Sequence, residues 1–133
     1  MVYVDNVAVF SGFNLAKDLN SIHQKELKLQ KNKVDSIITI LQADPESNPT
    51  EQQQRQFVFE NNKLKEMGEY LQNEVSQQVW NRINDYIQLY GDQNNFKIIL
   101  GTQGNGNIMY GDKEVDITNA FIEFANNKYE GEQ

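Results

Sequence analysis

Between Leu15 and Ala43 the chain has neither Pro nor Gly, and His23, Leu27, Gln30, Val34, Ile37 and Leu41 recur at alternating spacings of four and three. That period predicts a helix with a coiled-coil seam interrupted at two polar positions. The segment "ADPESNPT" ends it, because Pro45 and Pro49 each turn the preceding residue away from the helical region. Thr50 and Gln53 have the spacing of a capping box, which starts a second helix reaching about Tyr90, with Gly91 as its stop. Such a helix spans about 60 Å at 1.5 Å per residue. Folding the two back on each other about the prolines sets Ile37 and Ile38 near Phe57 and Val58, Gln30 near Leu64, Leu27 near Met67 and Gly68, and His23 near Leu71. An antiparallel helical hairpin is therefore expected over 15–90, with its tip at 44–50.

The flanks follow a different period. "VYVD" at residues 2–5 is a short β-rich run, and Asp5 caps a brief helix through "NVAVFSG", which stops at Gly12; Asn14 is expected to cap the long helix after it. Beyond Gly91, "FKIILGT" and "NIMYG" read as two strands of a β-hairpin turning at Asn105-Gly106. Asp116 then caps a last helix with the apolar face Ile117, Ala120, Phe121 and Phe124, before "NNKYEGEQ" frays as a polar tail. Residues 1–14 and 91–133 thus form a β body within a single domain, 1–133, of α+β class. Only about 60 residues lie outside the arm, a size at which one chain makes a marginal core. Three short strands would also leave open sheet edges. Both deficits point to an oligomer whose copies join their sheets.

Composition narrows the function. Seventeen Asn and 14 Gln among 133 residues imply much solvated surface, while seven Phe and six Tyr require a folded core. A net charge of −7, from 19 acidic and 12 basic side chains, argues against nucleic acid and against an anionic membrane surface. No apolar run is long enough to span a bilayer. The absence of cysteine removes disulfides, thiolate metal sites and Cys nucleophiles.

Candidate chemistry is sparse. His23, the sole histidine, sits on the seam with only Glu26 nearby, on a diverging face, so it reads as a polar seam position rather than a metal ligand; His23 and Gln30 are register-setting candidates. Gly101, Gly104 and Gly106 match neither phosphate-binding signature and read as turn residues. Asp112, Glu114 and Asp116 lack the glycine and terminal glutamate of a calcium loop. "EQQQRQ" from Glu51 is an ordinary first helical turn, and Trp80, Tyr86 and Tyr90 are expected to pack on the sheet. No nucleophile–base pair, metal cluster or cofactor loop remains, so no enzyme, metal or cofactor is expected.

The opening "VYVD", the long polar helical middle and the ending "FKIIL", "IMYG" and "DIT" before a helix together resemble the Skp/OmpH family of periplasmic chaperones. The resemblance covers the whole chain in order, with its specific part in the terminal segments. It implies a homotrimer in which three chains share a small β-barrel, with protruding helical arms that enclose unfolded outer-membrane proteins without ATP. It also implies export to the periplasm, with membrane association only indirect or through a removed N-terminal segment. On that reading the client-binding candidates are Ile38, Ile40, Val58 and Phe59 near the arm tip, which cannot all fit one seam. The body and oligomer candidates are Val2, Tyr3, Val4, Ile98, Leu100, Ile108 and Tyr110. The alternative is a trimeric envelope adaptor whose arms grip one folded partner, toward which the acidic balance leans. A prefoldin-like arrangement is disfavoured because there the hairpins lie between the long helices, whereas here the strands flank them.

Overall fold

In the computed structural model, residues 1–43, 48–104, 106 and 108–131 are described. The expected turn about Pro45 and the Asn105 half of the expected hairpin turn lie outside them. The order is strand β1 (Val2–Asp5), helices α1 (Asn6–Gly12), α2 (Asn14–Gln42) and α3 (Glu51–Gln93), strand β2 (Ile99–Thr102), a one-turn 3-10 helix (Lys113–Val115) and helix α4 (Thr118–Gly131). The chain divides into two compact units, Met1–Leu19 with Val75–Gln133, and Asn20–Glu74.

The first unit is organised around β1. It pairs in parallel with β2, in the register Val2↔Ile99 to Asp5↔Thr102. Along a strand the backbone polar groups face alternate sides, so Val2 serves one neighbour and Tyr3 the other. Val2 N–H accordingly donates to the Ile98 carbonyl at 3.3 Å, while the Tyr3 carbonyl accepts from Ile117 N–H at 3.0 Å. A single parallel bridge joins Tyr3 to Asp116 on that second side. Side chains alternate too, with Val2 and Val4 buried and Tyr3 and Asp5 half-buried. Asp5 caps α1 as expected, its Oδ1 accepting from the N–H groups of Val7 and Ala8 at 3.0 and 3.2 Å.

The expected hairpin does not form. Among the described residues the sheet has two strands, and Ile108 and Tyr110 belong to neither. Met109 and Tyr110 are almost fully exposed, so a strand here would bury nothing. After Gly104 and Gly106, both at positive φ, the chain passes to the far side of β1 and bridges Tyr3 instead of doubling back on β2. Close approach dictates the glycine at 101, where a Cβ would lie 2.6 Å from the Asn6 amide.

Two helix ends also differ from expectation, and a third keeps its expected acidic cap, from one residue further out. Asn14 does not cap α2 with its own side chain: its N–H donates to Asn126 Oδ1 at 2.7 Å and its amide donates to Glu130. Asn126 in turn donates to the Gly12 carbonyl, so α4 supplies both polar partners at the α1–α2 junction. Gly91 does not stop α3. The helix continues to Gln93 and closes at Asn95, whose φ is 57°. There Phe96 N–H donates to the Gly91 carbonyl and Asn95 N–H to that of Asp92, the paired bonds of a Schellman motif. Phe96 packs on Tyr90 with ring centroids 6.1 Å apart, the apolar contact that accompanies this cap. At the start of α4, Asp116 lies before the helix and its Oδ1 accepts from Thr118 N–H at 3.1 Å.

The buried face of α4 runs through Ile117, Phe121, Ala125 and Tyr129, four residues apart, whereas Ala120 is exposed. "NNKYEG" is helical rather than frayed, because Tyr129 is buried and its hydroxyl donates to Asp18 Oδ2 at 2.7 Å. The core is strongly aromatic. Phe13 meets Tyr86 and Tyr129 edge-on, and Tyr90 meets Phe121 edge-on at 5.7 Å and Phe124 at 5.0 Å. Trp80 packs on Phe10. The aromatics of α3 therefore find their ring partners mainly in α1, in Phe13 at the α1–α2 junction and in α4 rather than in the sheet.

Two outcomes follow. Phe121, fully buried, should cost about 3–5 kcal/mol when changed to Ala, read as a shifted urea midpoint. Asn95→Gly should preserve or raise stability, whereas Asn95→Val should lose about 1–2 kcal/mol because a β-branched residue resists positive φ.

Candidate functional site

Unit Asn20–Glu74 consists of helix almost throughout, with a capping box where its second helix begins. Thr50 N–H donates to Gln53 Oε1 at 2.9 Å and Gln53 N–H to Thr50 Oγ1 at 3.1 Å. Glu51 pairs with Arg55 one turn later. The seam is apolar where the spacing places it: Val34, Ile37 and Leu71 are buried, Leu27 and Leu41 half-buried. A Cβ on Gly68 would lie 3.9 Å from Leu27 Cδ2, so these two residues face each other as the folded-back alignment requires.

At the centre of the seam is a polar cluster that the alignment misplaced. Gln30, expected opposite Leu64, donates its Nε2–H to the Glu60 carbonyl at 3.0 Å and to Glu60 Oε2 at 2.8 Å. Both side chains are buried. Lys33 Nζ reaches Glu60 Oε1 at 3.4 Å. The hydrogen bond from Gln30 depresses the Glu60 carboxyl below its ordinary 4.5; burial opposes this, and Lys33, with Lys63 beyond it, reinforces it. Phe57, Glu60, Leu64, Met67 and Leu71 repeat the three-four spacing, which was the sequence signal that Glu60 belongs to the seam.

His23 is half-buried, and its Nδ1 has no hydrogen-bond partner. The Glu26 carboxylate, expected on a diverging face, is 3.8 Å from that nitrogen. No group of three His, Cys, Asp or Glu side chains among the described residues could hold a metal ion.

Of the four residues singled out near the tip, Ile40, Val58 and Phe59 are 63%, 54% and 66% exposed, and Ile38 is half-buried. Ile22, Leu29 and Tyr70 are exposed on the same helices and were not anticipated. Leu29 could have been, since it stands two residues from Leu27 and so roughly 200° around the helix from the seam. In the other unit Val2 and Val4 are buried, Tyr3 and Ile108 half-buried, and Tyr110 exposed. The Tyr3 phenol is held above its ordinary 10.0, first by burial and then by the Asp116 carboxylate. Ile98, just before β2, and Leu100, within it, are 48% and 40% exposed, and the outer edge of β2 has no partner among the described residues.

A small sheet made from both ends of the chain, together with two long helices that carry apolar side chains in solvent, defines a protein of α+β class. Among the described residues no helix is long and apolar enough to cross a membrane. The family model described as outer membrane protein (OmpH-like) matches residues 1–124, and the chain belongs to that family. No curated protein matches it. At the level of the family, the role is that of a non-enzymatic, periplasmic chaperone.

Gly68 gives a direct check on the helix pair. A methyl group there meets only ordinary van der Waals contact, so Gly68→Ala should raise the stability of this unit by about 1 kcal/mol through helix propensity. Thermal unfolding followed by circular dichroism measures it.

Proposed function

We propose that the protein is an ATP-independent holdase that binds unfolded outer-membrane proteins between the helical arms of a homotrimer and prevents their aggregation. The observation that carries this reading is the exposure of Ile40, Val58 and Phe59, with Ile22, Leu29 and Tyr70, on helices whose solvent face is mostly polar. Val58 and Phe59, adjacent in sequence, point about 100° apart, so the apolar contacts are spread around the helix rather than gathered in one pocket. Such contacts are individually weak and unselective; several arms acting on one chain multiply them through effective concentration. A seam already filled by Val34 and Ile37 leaves these side chains free for a client.

Support for assembly comes from the sheet. β1 has partners on both sides, whereas β2, which carries the exposed Leu100 and follows the exposed Ile98, presents an edge unpaired among the described residues. Exposed strand edges recruit further strands, and pairing between copies would cover this one. In this reading the unit Met1–Leu19 with Val75–Gln133 forms the shared body, drawing in the ends of the helices that the sequence assigned to the arm, and Asn20–Glu74 is the arm, working in the periplasm.

Two measurements test the proposal. Light scattering should give three times the mass of one chain at all concentrations used; a concentration-independent monomer would remove the trimer. The wild-type protein should suppress aggregation of several unrelated β-barrel proteins diluted from denaturant, and the triple variant Ile40→Ser, Val58→Ser, Phe59→Ser should lose that effect while keeping its helix content. Indifference to all of them, together with capture of one folded envelope protein, would favour the adaptor reading.

A further inference from the structure

A carboxylate inside a helix seam is costly unless it is paired. Glu60 is buried, and two groups from the opposite helix satisfy it: the Gln30 amide and the Lys33 ammonium. Gln30 also donates to the main-chain carbonyl of Glu60 itself, so one side chain of α2 is tied to both the backbone and the side chain of a single residue of α3. No other pairing of the two helices offers α2 that combination at position 60. A slip by one turn would set the carboxylate against an apolar neighbour. The arrangement therefore selects one register, as buried polar groups do in coiled coils.

We propose that Gln30, Lys33 and Glu60 form an acid-released lock on the helix pair, whose opening frees the apolar seam on its tip side. The charged groups that act on Glu60 are Lys33 from α2 and Lys63 from α3. Protonation removes the attraction of both lysines and weakens the charge-assisted bond from Gln30, leaving a neutral carboxyl in the seam without its charged partner. Because the folded-state carboxyl titrates below its ordinary 4.5, the lock is fully present above that value and is lost as pH falls through the lower, folded-state value. His23 lies seven residues away on α2, about two turns, and is outside the lock.

The position gives the release a direction. Residues 31–42 and 51–59 lie tip-side of the lock and contain Val34 and Ile37, both buried, with Ile38 and Leu41 half-buried. Loosening there adds these side chains to the already exposed Ile40, Val58 and Phe59. On the holdase reading, which this consequence rests on, acid enlarges the surface offered to a client.

Hydrogen exchange on the full-length protein, corrected for the intrinsic pH dependence of amide exchange, tests the lock without any client. In the wild type, amides of 31–42 and 51–59 should lose protection relative to those of 75–90 as the pH is taken from about 5 down to about 2, a range that starts above the ordinary carboxyl value and continues well below it. In Glu60→Leu, which fills the site with an apolar side chain, and in Glu60→Gln, which keeps a hydrogen-bonding group without titrating, that selective loss should be absent. The same loss in all three proteins, or no loss in the wild type, overturns the proposal. Aggregation assays at the two pH values are read separately: a wild type that opens in acid yet protects no client retains the lock and refutes the holdase.

Discussion

Strand β1 is the element on which the first unit depends. Four residues long, it pairs with β2 through Val2 and with the Asp116–Ile117 segment through Tyr3, so that a segment at the start of the polypeptide holds two segments near its end. Its inward side chains, Val2 and Val4, join a core whose other members come from α1, the first turns of α2, the last turns of α3, and α4. The backbone bonds set direction and register, and the aromatic cluster around Phe13, Tyr86, Tyr90 and Phe121 supplies large apolar rings to that core.

The second unit solves a different physical problem. Its helices are rich in Asn, Gln, Lys and Glu, so their association rests on a narrow stripe of Val34, Ile37, Leu71 and their half-buried neighbours. A narrow stripe specifies little by shape alone, and the Gln30–Glu60 pair adds what the aliphatic side chains lack, a directional contact with one correct partner. The same narrowness leaves Leu29, Ile40, Val58, Phe59 and Tyr70 without a place in the seam. Exposed apolar side chains and a polar lock are two consequences of one sparse pattern.

Much of this was legible in the sequence where a local rule applied. The caps at Asp5 and Thr50, the end of α1 at Gly12 and the long helices follow from spacing and side-chain chemistry within a few residues. The α+β class and the family followed from the order of these elements and the terminal motifs. What escaped was decided by partners far along the chain. "NIMYG" has strand composition but no face to bury, so the Asn-Gly turn signal did not produce a hairpin. Tyr129 looked like part of a polar tail because its anchor, Asp18, lies more than a hundred residues earlier. Gly91 looked like a stop because glycine is the commonest left-handed residue; Asn95 took that role because Phe96 could then reach Tyr90. Glu60 was overlooked because a charged side chain is ordinarily solvated, and only its heptad spacing indicated otherwise.

The parallel pairing of Val2 with Ile99 also constrains how the chain acquires its structure. A contact this remote in sequence carries a large loop-closure entropy and belongs to a slow-folding topology. The two long helices can form as soon as they emerge, since their bonds are local, but the first strand stays unmatched until nearly three-quarters of the polypeptide has been delivered. The helices therefore precede the sheet, and arrival of the last third of the chain sets the moment at which the first unit can close.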